Sequence, residues 1–496
     1  MRFSDLMGSG RSLPAASARA ARALWPGTRE DDAFLAGAAA ETVVMVRRMC
    51  APLHVAITQF FSAQAPELDT WICSELRHCR SLDEAVCRLA RQLAVEFHTA
   101  RTRLASDRPT LAARRMMNAA DVVTRVRIAS ADKHDGQHVL RLALSASPAL
   151  YYKPRPGAGA ALLETAAAVL RTWQLDLGAA RTVDRGSYHW MAEVAHDCVL
   201  THRQAQRFAF NGGVLYGLAS LLNASDLHFE NIVAHRDRPV VVDCETLSQP
   251  RFSAAAAAYL LKRPHDANDD TTSLFMNLDE YDGEEIDYGG LSCTGFRYRQ
   301  DPHAGAQVAL QTDTRPLVRH HTRSAVVADG TRMAPAVACF DDFAAGLRAF
   351  CRVALVRHDE VLGALAPDAL LRVPLRATRV YAALLSEQLA AISFSTYATP
   401  GWRQFLEDDA RAAAPAFVPT AAVLMRKEQL QLAALDIPVA YVRAGSTACR
   451  IGDIDIDGIF DLAPRAMAAR RIAALTADNV AARLAVLRAR LPRVPA

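Results

Sequence analysis

The sequence predicts an α+β protein. Three observations carry that reading: helical spacing of apolar residues over 30–118, strand-like alternation beginning near residue 121, and helical spacing again after residue 340. Residues 1–29 read as a flexible tail, rich in Arg, Ala and Ser and nearly free of acidic side chains. In residues 30–118, AETVVMVRRMCAPLHVAITQFF and LDEAVCRLARQLAVEF repeat apolar residues every three or four positions. Ser81 followed by Glu84 is a capping-box pattern opening the second run. This block carries no catalytic pattern and reads as a docking or packing module.

From residue 119 the texture changes. DVVTRVRIAS, HVLRLALS and ALYYKP read as strands, with the turn-like ADKHDGQ after the first. Residues 160–175 predict a helix, YHWMAEVA a strand or a helix start, and 199–224 a long helix with small residues at Gly212, Gly213 and Gly217. The runs IVA and VVV then flank His235-Arg236-Asp237-Arg238, a hairpin turn. Residues 268–335 are polar and rich in Gly, Asp and Thr, and so long an irregular segment inside a compact domain is usually functional or mobile.

Composition narrows the function. The 496 residues suffice for one multi-lobed unit or for several domains of about 150 residues each. Lys and Arg number 57 against 53 Asp and Glu, a net charge of +4, which gives no argument for nucleic-acid binding. No run of about 18 uncharged apolar residues suggests a membrane span, and the N-terminus has no continuous apolar region of the secretory kind. The ten Cys include no C-x-x-C pair, and the spacing of Cys73, His78, Cys79 and Cys87 fits no standard zinc site. Buried free thiols in a reducing cytoplasm are expected.

The sharpest chemical pattern is Asp226-Leu-His228-Phe-Glu230-Asn231, followed across the hairpin by Asp243-Cys-Glu245. Phosphoryl transfer needs a carboxylate that orients a hydroxyl and accepts its proton, and hard oxygen ligands that hold Mg²⁺ against a triphosphate. Asp226 suits the first role and Asn231 and Asp243 the second. His228 braces the loop, and Glu245 is an outer-shell or second-metal ligand. Upstream, Tyr151-Tyr152-Lys153-Pro154-Arg155 ends a strand on a Lys, where a kinase places its phosphate-gripping ammonium. Such a Lys wants a carboxylate partner, and Glu193 is the candidate. The Asp132–Gly136 loop lies one hairpin earlier, in a place to cover nucleotide phosphates. No Walker A motif is present, which excludes the P-loop class. A third pattern sets Arg372, Arg376, Thr378 and Arg379 within eight residues. Guanidinium forks and a hydroxyl together suit a phosphate.

Taken in order, ADKHDGQHV, YYKPR, YHWMAEV, the DLHFEN and VVDCETL block, EEIDYGGLS, RVPLRATRVY, KEQLQLAALDIP and ARRIAALTADNVAARL resemble the dehydratase domain of the class II lanthipeptide synthetases across roughly residues 120–490. The resemblance implies a two-lobed kinase-like fold related to the lipid kinases. Residues 30–118 would be an added helical region, 119–198 the N-lobe, and 199–496 the C-lobe with elimination elements. It implies ATP and Mg²⁺ as cofactors and a ribosomally made precursor peptide with a leader as partner. The family phosphorylates Ser and Thr and then eliminates phosphate, leaving dehydroalanine and dehydrobutyrine. Lys153, Asp226, His228, Asn231 and Asp243 match its phosphorylation residues, with Asp132 in addition. Arg372 and Thr378 match its elimination pair, and Glu428 a further acidic position of the pattern.

The family normally continues into a cyclase domain with a zinc site, and this chain has no Cys-His-Gly segment. The expectation is a stand-alone dehydratase, a shortened piece of a longer synthetase, or a relative with another role; a stand-alone dehydratase would have a separate cyclase as a possible partner in trans. Two other readings stay open: a kinase that phosphorylates a peptide, protein or small molecule without elimination, and a non-catalytic binding subunit. Stable phosphoproduct would mark the first, and failure to bind Mg–ATP the second.

Overall fold

In the computed structural model the described residues are 3–7, 12–26, 33–61, 67–129, 133, 136–225, 227, 231–261, 326–333, 338–376, 380–381, 384–385, 388 and 401–490. Among the candidate residues, Asp132, Asp226, His228 and Thr378 lie outside them, as does nearly all of the polar 268–335 segment.

Helix α1 (Leu13–Leu24) occupies the stretch expected to be a flexible tail. Ser12 caps it by accepting from the Ala15 amide, and Pro14 sits in its first turn, where the missing N–H costs nothing. Phe3, Leu13, Ala16 and Ala20 are buried with Trp71, Ile72 and Leu76 in one core, so this region belongs to the fold. Helix α2 (Ala33–Phe61) is followed by α3 (Leu68–His78) and α4 (Arg80–Ala113). The capping-box expectation at Ser81 fails: the N-cap of α4 is Cys79, two residues earlier, which puts Ser81 inside the first turn, and Glu84 accepts from Arg80 Nε at 2.9 Å.

Strands β1 (Val123–Ile128), β2 (Leu140–Leu144) and β3 (Leu150–Lys153) pair antiparallel in sequence. Helix α5 (Ala158–Thr172), β4 (Gly178–Ala179), β5 (Thr182–Asp184) and β6 (His189–Ala192) follow. The sheet order is β1-β2-β3-β6-β5. One face of this sheet is roofed by α2 and α4, with Val126, Leu140, Leu142, Leu150, Tyr152 and Trp190 packed against Phe34, Leu35, Leu93 and Phe97. Gly37 permits the close approach: a Cβ there would lie 2.7 Å from the Val126 carbonyl oxygen.

After β7 (Val199–Leu200) comes α6 (His202–Leu221), whose capping box is complete: Gln204 N donates to Thr201 Oγ1, and the Gln204 side chain accepts from the Thr201 amide. Gly213 of α6 and Gly346 of the helix Phe340–Val356 bring the two helices together backbone to backbone, while Gly217 leaves room for the Phe350 ring. A Cβ on Gly213 would stand 2.0 Å from the Phe343 oxygen, and one on Gly346 1.9 Å from the Phe210 oxygen. The predicted hairpin is β8 (Ile232–His235) and β9 (Arg238–Val241), turning on Arg236 at φ 54°.

The C-terminal part was expected to be helical throughout. After the short strands β10 (Arg251–Phe252), β11 (Val326–Ala328) and β12 (Thr331–Met333), it also holds a four-stranded antiparallel sheet of β13 (Leu370–Val373), β14 (Ala440–Arg443), β15 (Cys449–Ile451) and β16 (Ile454–Ile456). These strands have three or four residues each, too short for alternation to register against helical neighbours. No helix among the described residues is long and apolar enough to cross a membrane. Seven of the nine described Cys are buried and all nine are free thiols; burial pushes Cys50 up to about 12.

Candidate functional site

Strand alternation sends Tyr152 into the helix-covered core and Lys153 to the opposite face. There the Lys153 ammonium meets the end of the β8–β9 hairpin. Its Nζ donates to the Val242 carbonyl at 3.0 Å and lies 3.5 Å from Asp243 Oδ1. The hairpin end is closed by the Val242 amide donating to the Asn231 carbonyl at 2.9 Å. Asn231 is thus paired through its backbone with the residue just before Asp243.

Two neighbouring contacts fix this segment. Gly159, in the first turn of α5, lies so close to it that a Cβ would come within 2.0 Å of the Cys244 oxygen. Thr246 holds Ser225 twice, donating from Oγ1 to the Ser225 carbonyl at 2.6 Å and accepting the Ser225 amide at 3.0 Å. Ser225 is thereby held against Thr246, three residues after Asp243; Asp226 and His228 lie outside the described residues.

Glu193 does not partner Lys153. Its carboxylate accepts from Arg141 Nε at 3.0 Å and Nη2 at 3.1 Å, and from the Ala149 amide at 3.3 Å. The strand register explains the exchange: Lys153 pairs with His189, at the far end of β6 from Glu193. Asp243 takes the place expected for Glu193.

Glu245 is not arranged as a metal ligand either. Its side chain is 5% exposed, with Oε1 ion-paired to Arg155 Nε and Oε2 2.6 Å from Arg372 Nη1. Burial alone would raise this carboxyl, but the charges of Arg155, Arg372 and Lys153 outweigh it and hold it down to about 2. Arg372 sits on β13, where Leu371 and Val373 are buried on the other face. Its carbonyl accepts from Gln249 Nε2 at 2.9 Å, which ties β13 to the chain just beyond Glu245. The candidate residues for phosphate transfer and for phosphate elimination thus meet through one carboxylate.

Glu428, the further acidic position that the resemblance places among the catalytic residues, lies at the centre of a buried network. It is fully buried, 2.8 Å from Arg376 Nε, and accepts from Tyr381 Oη at 2.7 Å. Arg376 Nη1 also reaches Asp409 Oδ2 at 2.7 Å, and its guanidinium lies 4.8 Å from the Tyr259 ring centre. Glu428 positions the two flanks of the segment holding Thr378, which itself lies outside the described residues.

The Asp132–Gly136 loop is anchored at its two described residues. Lys133 Nζ donates to the Ala434 carbonyl at 3.0 Å, and the Gly136 amide to Asp436 Oδ2 at 2.6 Å. Gly136 has φ 75°, a conformation that favours glycine.

Two participants were not assigned from the sequence. Arg155 was visible in YYKPR without a role. His189 is buried beneath Lys153 and Arg155, and burial, with the Lys153 charge, lowers it to about 4. It is therefore neutral near pH 7, and its Nδ1–H donates to the Arg155 carbonyl at 2.9 Å, since a carbonyl only accepts.

Comparison with known proteins adds two findings. The family described as a domain of unknown function, DUF4135, matches residues 81–443, more than half of the chain. The lacticin 481/lactococcin biosynthesis protein LcnDR2 of Lactococcus lactis subsp. lactis is 26% identical over 132 residues, 24% of this chain and 14% of that protein's length. Both support the resemblance read from the sequence. The matched stretch spans only a small part of the relative, so the relative's activity as a whole is not transferred by it.

Proposed function

The chain belongs to the DUF4135 family, and from that premise we propose that it is an ATP-dependent dehydratase of ribosomally made peptides. In this reading the β1–β6 sheet with α5 and the helical part beyond it correspond to the two lobes of a kinase-like fold. The carrying observation is the Lys153–Asp243 pair, 3.5 Å apart, standing two residues from the Glu245 carboxylate that holds Arg372.

Asp226 takes the proton of a Ser or Thr hydroxyl, whose oxygen forms a bond to the γ-phosphorus as the bond to ADP breaks. Lys153 grips the nucleotide phosphates. Asn231 and Asp243 fit a Mg²⁺ site, one carboxylate and one amide at the same hairpin end, because Mg²⁺ keeps several waters and needs few protein ligands. When bound, Mg²⁺ would neutralise triphosphate charge. Elimination follows in the same place. A base removes the Cα proton, the Cα–Cβ double bond forms, and the Cβ–O bond breaks with its electron pair leaving on phosphate. Arg372 and Thr378 stabilise that departing anion. The net change is loss of one water from the residue and hydrolysis of ATP to ADP and phosphate.

The test is intact-mass analysis of a candidate precursor peptide incubated with the protein, ATP and Mg²⁺. Loss of one water per modified site is expected. Stable gain of phosphate would replace the dehydratase by a kinase without elimination. An unmodified peptide, together with failure to bind Mg–ATP, would favour a binding subunit.

A further inference from the structure

We infer that Asp436 is a positioning residue for nucleotide binding: through the Gly136 amide it fixes the loop between β1 and β2 at the Lys153 end of the sheet. The inference rests on the phosphate-transfer reading above and adds a residue to it. Ile128 pairs with Leu140, and Leu140 with Tyr152, so both ends of this loop leave the sheet beside Lys153. A loop at that end can cover phosphates gripped by Lys153 only if its path is set in advance. A loop that must be ordered on binding gives up affinity for the ordering.

A turn some 300 positions away sets the path. The helix Val418–Ala433 ends in a Schellman pattern: the Asp436 amide donates to the Gln431 carbonyl at 2.9 Å and the Leu435 amide to the Leu432 carbonyl at 3.0 Å. Leu435 stands at φ 59°, a conformation normally left to glycine. Strain of this kind persists where the surroundings hold it, and it gathers where placement matters. The turn presents three groups to the loop. The Ala434 carbonyl accepts from Lys133 Nζ at 3.0 Å, Asp436 Oδ2 accepts from the Gly136 amide at 2.6 Å, and the Ile437 amide donates to the Lys133 carbonyl at 2.9 Å. From α4, Gln92 Nε2 donates to the Gly136 carbonyl at 2.5 Å. Gly136 is thus held by both its N–H and its C=O. Lys133 and Asp436 are 9% and 5% exposed, so water competes little for these bonds. The bond to Asp436 is charge-assisted, the stronger kind. Shortly after Asp436 the chain enters β14, where Ala440 pairs with Val373 and Tyr441 with Arg372. The turn therefore ties the loop on the nucleotide side to the strand pair that carries Arg372.

The experiment titrates Mg–ATP onto the full chain by calorimetry and follows amide hydrogen exchange at Gly136 without nucleotide. Asp436→Leu is expected to weaken Mg–ATP binding about tenfold or more and to speed exchange at Gly136. Asp436→Asn, whose side-chain oxygen still accepts the Gly136 N–H, is expected to restore most of that affinity. Lys133→Met loses the Ala434 contact, is expected to weaken Mg–ATP several-fold, and carries the test if Asp436→Leu does not fold. Wild-type Mg–ATP affinity in a folded Asp436→Leu, whatever its exchange, would overturn the inference and leave the phosphate-transfer reading standing. Tighter binding would overturn it too, since the carboxylate would then compete with phosphates for the Gly136 amide. Failure of wild type to bind Mg–ATP would remove the phosphate-transfer reading, and the positioning role with it.

Discussion

Arg372 Nη1 lies 2.6 Å from Glu245 Oε2, a contact that spans 127 positions of sequence. It joins the strand expected to serve elimination to the hairpin expected to serve phosphorylation. If the two chemistries share this site, they are separable by mutation at one end of the contact but not in space. Arg372→Met is expected to leave phosphorylated peptide accumulating, with Mg–ATP turnover retained. Mass spectra showing equal loss of phosphorylated and dehydrated product would contradict this division.

Lys153 and Asp243 sit on the other side. Lys153→Met and Asp243→Asn are each expected to lower ATP-dependent modification of a peptide by at least a hundredfold. The check is product mass over a time course, and wild-type rates in either variant would remove both residues from the phosphate-transfer site.

Glu428 is expected to matter first for stability. Breaking a buried ion pair by removing one partner typically costs about 3–5 kcal/mol. Glu428→Leu should therefore shift the urea midpoint strongly. Arg376→Met combined with it should cost less than the sum of the two, since the orphaned charge is then gone. Additive losses would mean that the Arg376–Glu428 contact is not the source of the effect.

His189 supplies a pH signature. Its folded pKa of about 4 lies below the ordinary 6.5. Between those values the unfolded chain binds more protons, so stability falls as pH drops from about 6.5 towards 4 and is retained above that window. A displacement of this size corresponds to on the order of 3 kcal/mol. His189→Asn keeps an N–H donor for the Arg155 carbonyl and loses the titration. Melting curves of wild type should decline more steeply through this window than those of the variant, and parallel declines would place the effect elsewhere.

The α6 contact with the helix Phe340–Val356 is tested by Gly213→Ala. The new Cβ would meet the Phe343 oxygen at 2.0 Å, and overpacking of this kind costs about 1–3 kcal/mol or more. Gly363→Ala is the control, because nothing lies within 4 Å of its Cβ position. Equal effects on the unfolding midpoint would refute the close-approach argument.

Much of this was legible in the residues. The strand ending at Lys153, the hairpin turning at Arg236 and the glycines of α6 were readable because alternation and small-residue spacing are local signals. Ion-pair partners were not. Glu193 and Asp243 are both acids near Lys153 in the fold, and only the β3–β6 register decides between them. Glu245 looked like a metal ligand because sequence shows its carboxylate and not the guanidiniums on it. Helix α1 was missed although Ser12 and Pro14 mark its start, because its Ala and Arg composition resembles a loose tail.

The roof over the β1–β6 sheet draws a boundary of its own. Phe34, Leu35 and Gly37 of α2 cover Val126 and its neighbours, yet they precede residue 81, where the family match begins. A fragment cut at residue 81 would keep Leu93 and Phe97 and expose the rest of the apolar face that backs the Lys153 strand. The stretch that the family match spans and the stretch that covers this sheet are thus different lengths of chain.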